Sequence, residues 1–123
     1  MQIEWHPGDD ELAGFIRSYL DSFCTWDILV YLAHVPDVVT TVDSLAPKVG
    51  RPAADVFESM ERLTASGLLE SSHEFGQLVY RLDGHEENRR LLKRFADHHC
   101  DEDVRTLALR WVISRRNGQS RWR

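Results

Sequence analysis

The sequence lacks the features that mark membrane and secreted proteins. No stretch approaches the run of about 18 apolar residues that a membrane-spanning helix needs. Two cysteines, Cys24 and Cys100, provide no disulfide framework, so reduced thiols are the simplest interpretation. Residues 1–12 lack the basic and apolar regions of a signal peptide. We therefore expect a cytoplasmic protein with no membrane partner.

Catalytic motifs are also missing. The sequence has no glycine-rich phosphate loop, no nucleophile elbow and no paired-histidine zinc helix. One cluster of potential metal ligands occurs, at His98, His99 and Cys100. Neighbouring helical residues do not face each other and rarely bind one metal together, so a polar helix end is the simpler interpretation. The sequence predicts no enzyme, no metal site and no cofactor, and the cysteines are either redox sensors or small packing residues.

Basic residues are scarce in the first 104 positions, which hold nine Lys or Arg and all twenty Asp or Glu. Residues 105–123 hold six arginines and no acid, while the whole chain carries a net charge of −5. The acidic total argues against a general nucleic-acid surface. The asymmetry leaves two interpretations open: a basic arm for an anionic partner, or a tail that neutralises the acidic body of its own chain or of a second subunit.

The rest of the chain is organised around residues 39–80, which begin with a short helical pattern. Thr41 precedes an apolar stripe with helical spacing and can cap a helix start. Gly50 supplies the left-handed conformation that commonly ends a helix. Pro47 interrupts the stripe, and a proline inside a helix costs about 3 kcal/mol. We therefore expect the helix to begin nearer Ser44.

A second helix and a hairpin follow in the same stretch. Pro52 suits the first helical position, and an apolar stripe repeats at Val56, Met60 and Leu63. Two β-capable runs then flank a polar segment and predict a hairpin. Residues 38–40 are the candidate for a short first strand that pairs with this hairpin.

These positions resemble the core of a known protein family. The residues that carry the likeness are Leu45-Ala46, Val49-Gly50, Val56, Met60, Leu63 and Gly67-Leu68-Leu69-Glu70. They resemble winged helix-turn-helix transcriptional regulators, a broad group that includes the MarR- and ArsR-like repressors, over about a third of the chain. The resemblance implies that the second helix enters the DNA major groove and that the hairpin, or wing, touches the backbone or minor groove.

The sequence departs from the family on the face that would meet DNA. Regulators usually carry Ser, Thr, Arg, Lys or Gln there, whereas this chain carries Ala53, Ala54, Asp55, Phe57, Glu58 and Glu61. A carboxylate about 4 Å from a phosphate costs about 4 kcal/mol near a protein surface, although Glu can accept from a cytosine amino group. The candidate DNA contacts are Lys48, Arg51, Ser59, Arg62, Arg81, Arg115, Arg116, Arg121 and Arg123.

Amphipathic patterns on both sides of the core predict further helices. One covers residues 9–23, a second runs from Trp26 to about Val35 with Thr25 as its cap, and two lie within residues 85–116. Residues 117–123 have no packing pattern and read as a frayed basic tail. We expect one domain over residues 1–123 with its winged-helix core at 25–82. The expected fold is mainly α with a small β-hairpin, a winged helix-turn-helix with an extra N-terminal helix and two C-terminal helices.

Helices outside the core suggest dimerisation, by analogy with the regulators that the chain resembles. The candidate interface residues are Phe15, Tyr19, Leu107 and Trp111. The aromatic stripe that contains Phe15 and Tyr19 fits either the core or a subunit interface. The leading hypothesis is a homodimeric transcriptional regulator that binds double-stranded DNA. The alternative is a winged-helix protein-interaction module that has lost DNA binding, with Phe57, Glu58 and Glu61 as its partner surface.

Overall fold

The computed structural model describes residues 7–121, and it describes side chains from 11 to 116. This part of the chain forms six helices and one two-stranded antiparallel sheet. The elements are α1 (Pro7–Tyr19), α2 (Phe23–His34), α3 (Val42–Val49), α4 (Ala53–Ala65), β1 (Leu69–Glu74), β2 (Gln77–Leu82), α5 (Glu86–His98) and α6 (Glu102–Arg121). The predicted class, mainly α with a small β-hairpin, is confirmed. None of the described helices is both long and apolar enough to span a bilayer.

The boundary between α1 and α2 lies earlier than predicted. Helix α1 ends at Tyr19, and Phe23 is the first residue of α2 rather than the last of α1. The N-cap of α2 is Ser22, whose hydroxyl accepts the backbone N–H of Thr25 at 3.1 Å. The prediction that Thr25 caps this helix is therefore wrong. Serine and threonine hydroxyls both suit the N-cap position. Here Ser22, which comes earlier in the chain, is the N-cap, and Thr25 lies buried in the first turn of the helix.

Helix α3 begins where its capping residue predicts. The Thr41 hydroxyl accepts the backbone N–H of Ser44 at 3.1 Å, and Gly50 ends the helix with φ of 70°. The expectation that Pro47 delays the start to Ser44 is wrong. Pro47 lies inside the helix on its exposed side. The carbonyl that would have bonded the missing N–H belongs to exposed Asp43 and is open to water, which limits the cost of the proline.

The hairpin has the predicted form. Its two-residue turn, Phe75-Gly76, has φ values of 53° and 78°, as expected for the turn that matches strand twist. The expected first strand at residues 38–40 shrinks to a single bridge. In it, Thr40 and Tyr80 exchange backbone hydrogen bonds of 3.0 and 2.8 Å.

The hydrophobic core surrounds α2, which packs against α3, α4 and α5. Aromatic rings extend this core, with the ring of Phe95 centred 5.9 Å from that of Phe15 and 6.1 Å from that of Trp26. Phe15 is only 3% exposed within its own chain. It is therefore not available to a second subunit, contrary to the sequence-based assignment, because the aromatic stripe of α1 packs into the chain's own core.

Helix α6 continues past its predicted end at Arg116 and reaches Arg121. Backbone hydrogen bonds alone can extend a helix where no proline interrupts them. The other dimer candidates, Tyr19, Leu107 and Trp111, are half-buried and pack against the core of their own chain. The side chains of residues 117–123, including those of Arg121 and Arg123, lie outside the described residues.

Candidate interaction surface around helix α4

Helix α4 has a buried side and an exposed side. Val56, Met60 and Leu63 point into the core and are at most 1% exposed. The exposed positions fall between them, as the 3.6-residue repeat requires. They are Ala53, Ala54, Asp55, Phe57, Glu58, Glu61, Arg62 and Ala65. The outer side of α4 therefore carries three carboxylates, one arginine and one large aromatic ring.

Ser59 does not belong to the exposed side, so its assignment as a DNA contact is wrong. The side chain is 1% exposed. Its hydroxyl shares a hydrogen bond of 2.9 Å with the hydroxyl of Thr25, which also donates to Asp21 at 2.6 Å. The apolar stripe already contained the signal, because Ser59 lies three residues after Val56 and one before Met60.

A cavity of about 350 Å³ lies along one flank of α4, and we call it the arginine pocket. Five of the predicted DNA contacts line it, four arginines and the buried Ser59, together with acidic residues and the start of α2. Its charged lining residues are Arg51, Arg62, Arg115, Arg116, Asp21, Asp55 and Glu58. No local pattern in the sequence indicates that Arg115 and Arg116 of the last helix lie beside α4, because that proximity depends on how distant helices pack.

Two arginines of this pocket are engaged by acidic side chains of α2 and of the segment before it. Arg51 binds Asp27 at 2.8 Å, and Arg62 binds Asp21. Glu58, one turn earlier on α4, lies 3.6 Å from Arg62. The Arg115 guanidinium lies over the ring of Trp111, 5.7 Å from its centroid. The pocket thus holds both signs of charge, largely paired within the chain.

Two other predicted DNA contacts, Arg81 and Lys48, lie apart from this pocket. Arg81 donates to Glu74 at 2.6 Å across the hairpin. Lys48 is exposed in the last turn of α3. The structure therefore brings together four of the candidate cations and leaves these two at separate places on the surface.

A second depression lies on the other flank of α4, between the start of α3, α4 and β2. We call it the α3–α4–β2 groove, and its volume is about 380 Å³. The residues that line it are Thr41, Val42, Asp43, Phe57, Gln77, Leu78 and Tyr80. Phe57 is 46% exposed, an unusual position for a large aromatic ring. The groove therefore combines an apolar floor with one carboxylate in its lining, that of Asp43.

Glu61 is fixed beside this groove by Tyr80. The Tyr80 hydroxyl donates to a Glu61 carboxylate oxygen at 2.6 Å. Burial, followed by the hydrogen bond to this carboxylate, raises the pKa of Tyr80. The tyrosine therefore stays protonated and able to donate, and its hydrogen bond holds the Glu61 side chain beside the groove. Sequence reasoning identified Glu61 but not its partner, which lies on a different element.

The tip of the hairpin carries another exposed aromatic ring. Phe75 is fully exposed and adopts a positive φ of 53°. A left-handed conformation is uncommon for an aromatic residue, although the two-residue turn requires it. The predicted interaction residues do not include Phe75, because it lies in the polar segment between the two predicted strands of the hairpin.

A wider cavity of about 600 Å³ lies between α2, β2 and α5. Its floor includes Leu82 and Leu92, and its rim includes three cations. Each cation binds an acid: Arg89 binds Asp37 at 3.0 Å, Arg90 binds Glu11 and Glu87 at 3.0 and 2.9 Å, and Lys93 binds Asp97 at 3.0 Å. The charges at this rim are therefore compensated within the chain.

The histidine and cysteine cluster after α5 is engaged in local contacts. His98 contacts Asp101 at 2.7 Å, and His99 accepts a hydrogen bond from the Trp26 indole at 3.1 Å. Burial lowers the pKa of His99, which keeps its ring neutral and able to accept. Within the part of the chain whose side chains are described, no three His, Cys, Asp or Glu residues converge as a metal site would require.

Cys24 forms part of the wall of the arginine pocket. It is 8% exposed, and burial raises the pKa of its thiol more than the Ser59 hydroxyl lowers it. A neutral thiol reacts slowly with oxidants. The geometry therefore favours the packing role over the redox-sensor role.

Comparison with protein-family models, with curated proteins and with solved structures finds no match to this chain. The function is therefore argued from the surface around α4 itself.

Proposed function

We propose that this chain is a winged-helix module that recognises a protein partner through α4 and the β1–β2 hairpin. In this proposal α3 and α4 form the helix-turn-helix and the hairpin is the wing. The element order and the bridge between Thr40 and Tyr80 support this arrangement. The proposal reverses the order of the two sequence-based hypotheses because of the charges on α4.

The observation that carries the proposal is the net acidity of the exposed side of α4, which has three carboxylates and one arginine. Glu58 and Glu61 are both exposed there. Arg62, the one cation among the exposed residues of α4, is shared between Glu58 and Asp21, a carboxylate outside the helix. A phosphate about 4 Å from either glutamate would meet a repulsion of about 4 kcal/mol near a protein surface. This face suits a neutral or cationic partner better than the DNA backbone.

The aromatic ring of Phe57 supports the same choice. Interfaces between proteins are enriched in aromatic residues at their centres. Phe57 lies on the exposed side of α4, one residue before Glu58 and one turn before Glu61. An aromatic ring framed by charged residues matches the usual pattern of an apolar interface centre with a polar rim.

A second candidate function is binding of double-stranded DNA by a homodimer, and the arginine pocket favours it. Arg51, Arg62, Arg115 and Arg116 converge there. Exposed ion pairs contribute less than about 1 kcal/mol each, so these arginines can exchange their carboxylates for phosphates at little cost. In this candidate the contact lies on the flank of α4 rather than on its acidic face.

The test is site-specific photo-crosslinking in the native host, with a benzoyl-phenylalanine in place of Phe57. Ile113 is the matched control, since it is also 46% exposed but lies on α6. We expect an adduct with a different protein at position 57 and not at 113. The crosslinked partner, once purified, should bind the wild-type chain at least tenfold more tightly than Phe57→Ala. No adduct at position 57, or an adduct only with a second copy, would refute the proposal.

Selection of random-sequence duplex DNA by the purified chain, at two salt concentrations, tests the second candidate. Enrichment of a two-fold symmetric motif would establish DNA recognition by a dimer. Binding without enrichment that weakens in Arg115→Ala/Arg116→Ala would assign a non-specific contact to the pocket. No binding at low salt would remove this candidate.

A further inference from the structure

We propose that the α3–α4–β2 groove receives an extended, basic segment of a partner protein, which adds as a short strand to the edge of β2 at Leu78. This inference rests on the proposed function and names the class of partner segment. It combines two observations: an open backbone edge, and an apolar floor with the Asp43 carboxylate in the lining and Glu61 bonded to the lining residue Tyr80.

The open edge follows from the hairpin register. A two-residue turn places Glu74 and Gln77 as a hydrogen-bonded pair, and such pairs alternate with non-hydrogen-bonded pairs along an antiparallel ladder. Leu78 is opposite His73, which makes this pair a non-hydrogen-bonded one. The N–H and C=O of Leu78 therefore point away from β1.

The bridge at Tyr80 independently confirms this alternation. Tyr80 lies two residues after Leu78, so the backbone groups of both residues point toward the same edge. Tyr80 uses its N–H and C=O to bind Thr40 on that edge. The backbone N–H and C=O of Leu78 therefore point toward the edge of β2 that Thr40 occupies, away from β1.

The chain itself leaves this edge uncovered. After the bridge at Thr40 it enters α3 at Val42, so no strand lies opposite Leu78 on this side in the described part of the chain. A row of unpaired N–H and C=O groups is a template for strand addition. The groove is the space where the added strand would lie.

The lining of the groove specifies the chemistry of the added segment. Successive side chains of a strand point to opposite faces. One apolar side chain would therefore pack on the half-exposed ring of Phe57 and on Leu78. Basic side chains two residues away, on the same face of the added strand, would reach Asp43 and Glu61. Glu61 is already held in place by Tyr80. An acidic segment or a phosphate chain would meet these same carboxylates as repulsion.

Selection of nine-residue peptides from a random displayed library, on the purified full chain, tests this inference. We expect enriched peptides to carry net positive charge, with a basic residue two positions away from an apolar one. The Leu78→Pro variant lacks the backbone N–H at this edge, and it should bind the enriched peptides at least tenfold more weakly than the wild type does. His73→Pro is the matched control, because it removes the corresponding outward N–H from the opposite edge of the hairpin, and its affinity should stay within twofold of the wild type.

A second measurement leaves the protein unchanged, so it does not depend on the folding of the proline variants. The selected peptides are synthesised with N-methyl groups on one set of alternate amides or on the other. Strand addition predicts that one set abolishes binding and that the other changes it by less than threefold. Equal effects of the two sets, selection of acidic or helical peptides, or no enrichment would overturn the inference. A Phe57 crosslink to a partner would still support the proposed function in any of those cases.

Discussion

The two flanks of α4 differ in the charges that they carry and in how those charges are compensated. On the flank of the arginine pocket, Arg51 and Arg62 bind Asp27 and Asp21. On the flank of the groove, the partner of Glu61 is the hydroxyl of Tyr80 rather than a cation. The difference shows that charge counts along a helix do not define its surface, because α2 and the segment before it supply the partners on one flank only.

The comparison also separates two kinds of exposed residue. Arg62 is half-exposed, yet it is tied to carboxylates of its own chain. Phe57 is exposed to a similar degree and offers an apolar surface to solvent. An exposed arginine can exchange one carboxylate partner for another at little cost in free energy. Burial of an exposed aromatic ring against a partner, in contrast, is favourable because it removes apolar surface from water.

The largest effect should come from the core that both flanks share. Met60→Ala removes a fully buried side chain and should lower the free energy of unfolding by about 2–5 kcal/mol. Phe57→Ala, three residues earlier on the exposed side, should lower it by about 1 kcal/mol or less. Urea denaturation followed by circular dichroism measures both. Equal losses would show that Phe57 is a core residue, and the contrast between the two sides of α4 would fail.

A smaller effect is expected where the arginine flank meets the core. Thr25→Val removes a buried hydroxyl that bonds both Asp21 and Ser59. Leaving such partners unsatisfied costs about 1–3 kcal/mol. Thr64→Val is the matched control on α4, because its hydroxyl bonds only a carbonyl of its own helix, that of Met60. If the two valine variants lost the same stability in urea, the contact between Thr25 and Ser59 would not stabilise the fold.

Local patterns in the sequence were enough to predict most of the fold. Thr41, Gly50 and the stripe at Val56, Met60 and Leu63 act within one or two helical turns, and the hairpin depends on a two-residue turn. The sequence could not indicate that Arg115 lies beside α4, since this requires the packing direction of α6 against the rest of the chain. Local rules fail there because they contain no information about contacts between distant segments.

The candidate site was predicted less completely than the fold. Phe57, Glu58 and Glu61 were placed correctly on the exposed side, because helical periodicity determines exposure. Ser59 was misplaced, since polar character was given more weight than its position in the apolar stripe. The groove was not foreseen, because it depends on where the chain leaves the sheet after Thr40.

On the groove flank, Tyr80→Phe should lower the free energy of unfolding by about 1 kcal/mol at neutral pH. The ring stays buried, and the variant loses only the hydrogen bond to Glu61. Tyr31→Phe is the control, because Tyr31 is a half-buried tyrosine on α2. An unchanged stability of Tyr80→Phe in urea would mean that Glu61 is not held beside the groove.

The same variant has a pH dependence whose sign follows from the raised pKa of Tyr80. A raised pKa in the folded state stabilises the fold fully below the unfolded pKa of about 10 and loses that contribution as the pH rises above it. The wild type should therefore lose more stability than Tyr80→Phe between neutral pH and about pH 11. Urea midpoints measured across this range give the comparison. A constant difference would contradict it.

The smallest effect is expected on the exposed side of the arginine flank. In a double-mutant cycle, Arg62→Gln and Asp21→Asn should couple by less than about 1 kcal/mol in the free energy of unfolding, because Arg62 is 48% exposed. A coupling this small would leave the arginines of the pocket free to exchange Asp21 and Glu58 for phosphates, which the DNA-binding candidate requires. A coupling of several kcal/mol would make the pocket a structural element. DNA binding would then lose its supporting observation, while the groove on the opposite flank would be unaffected.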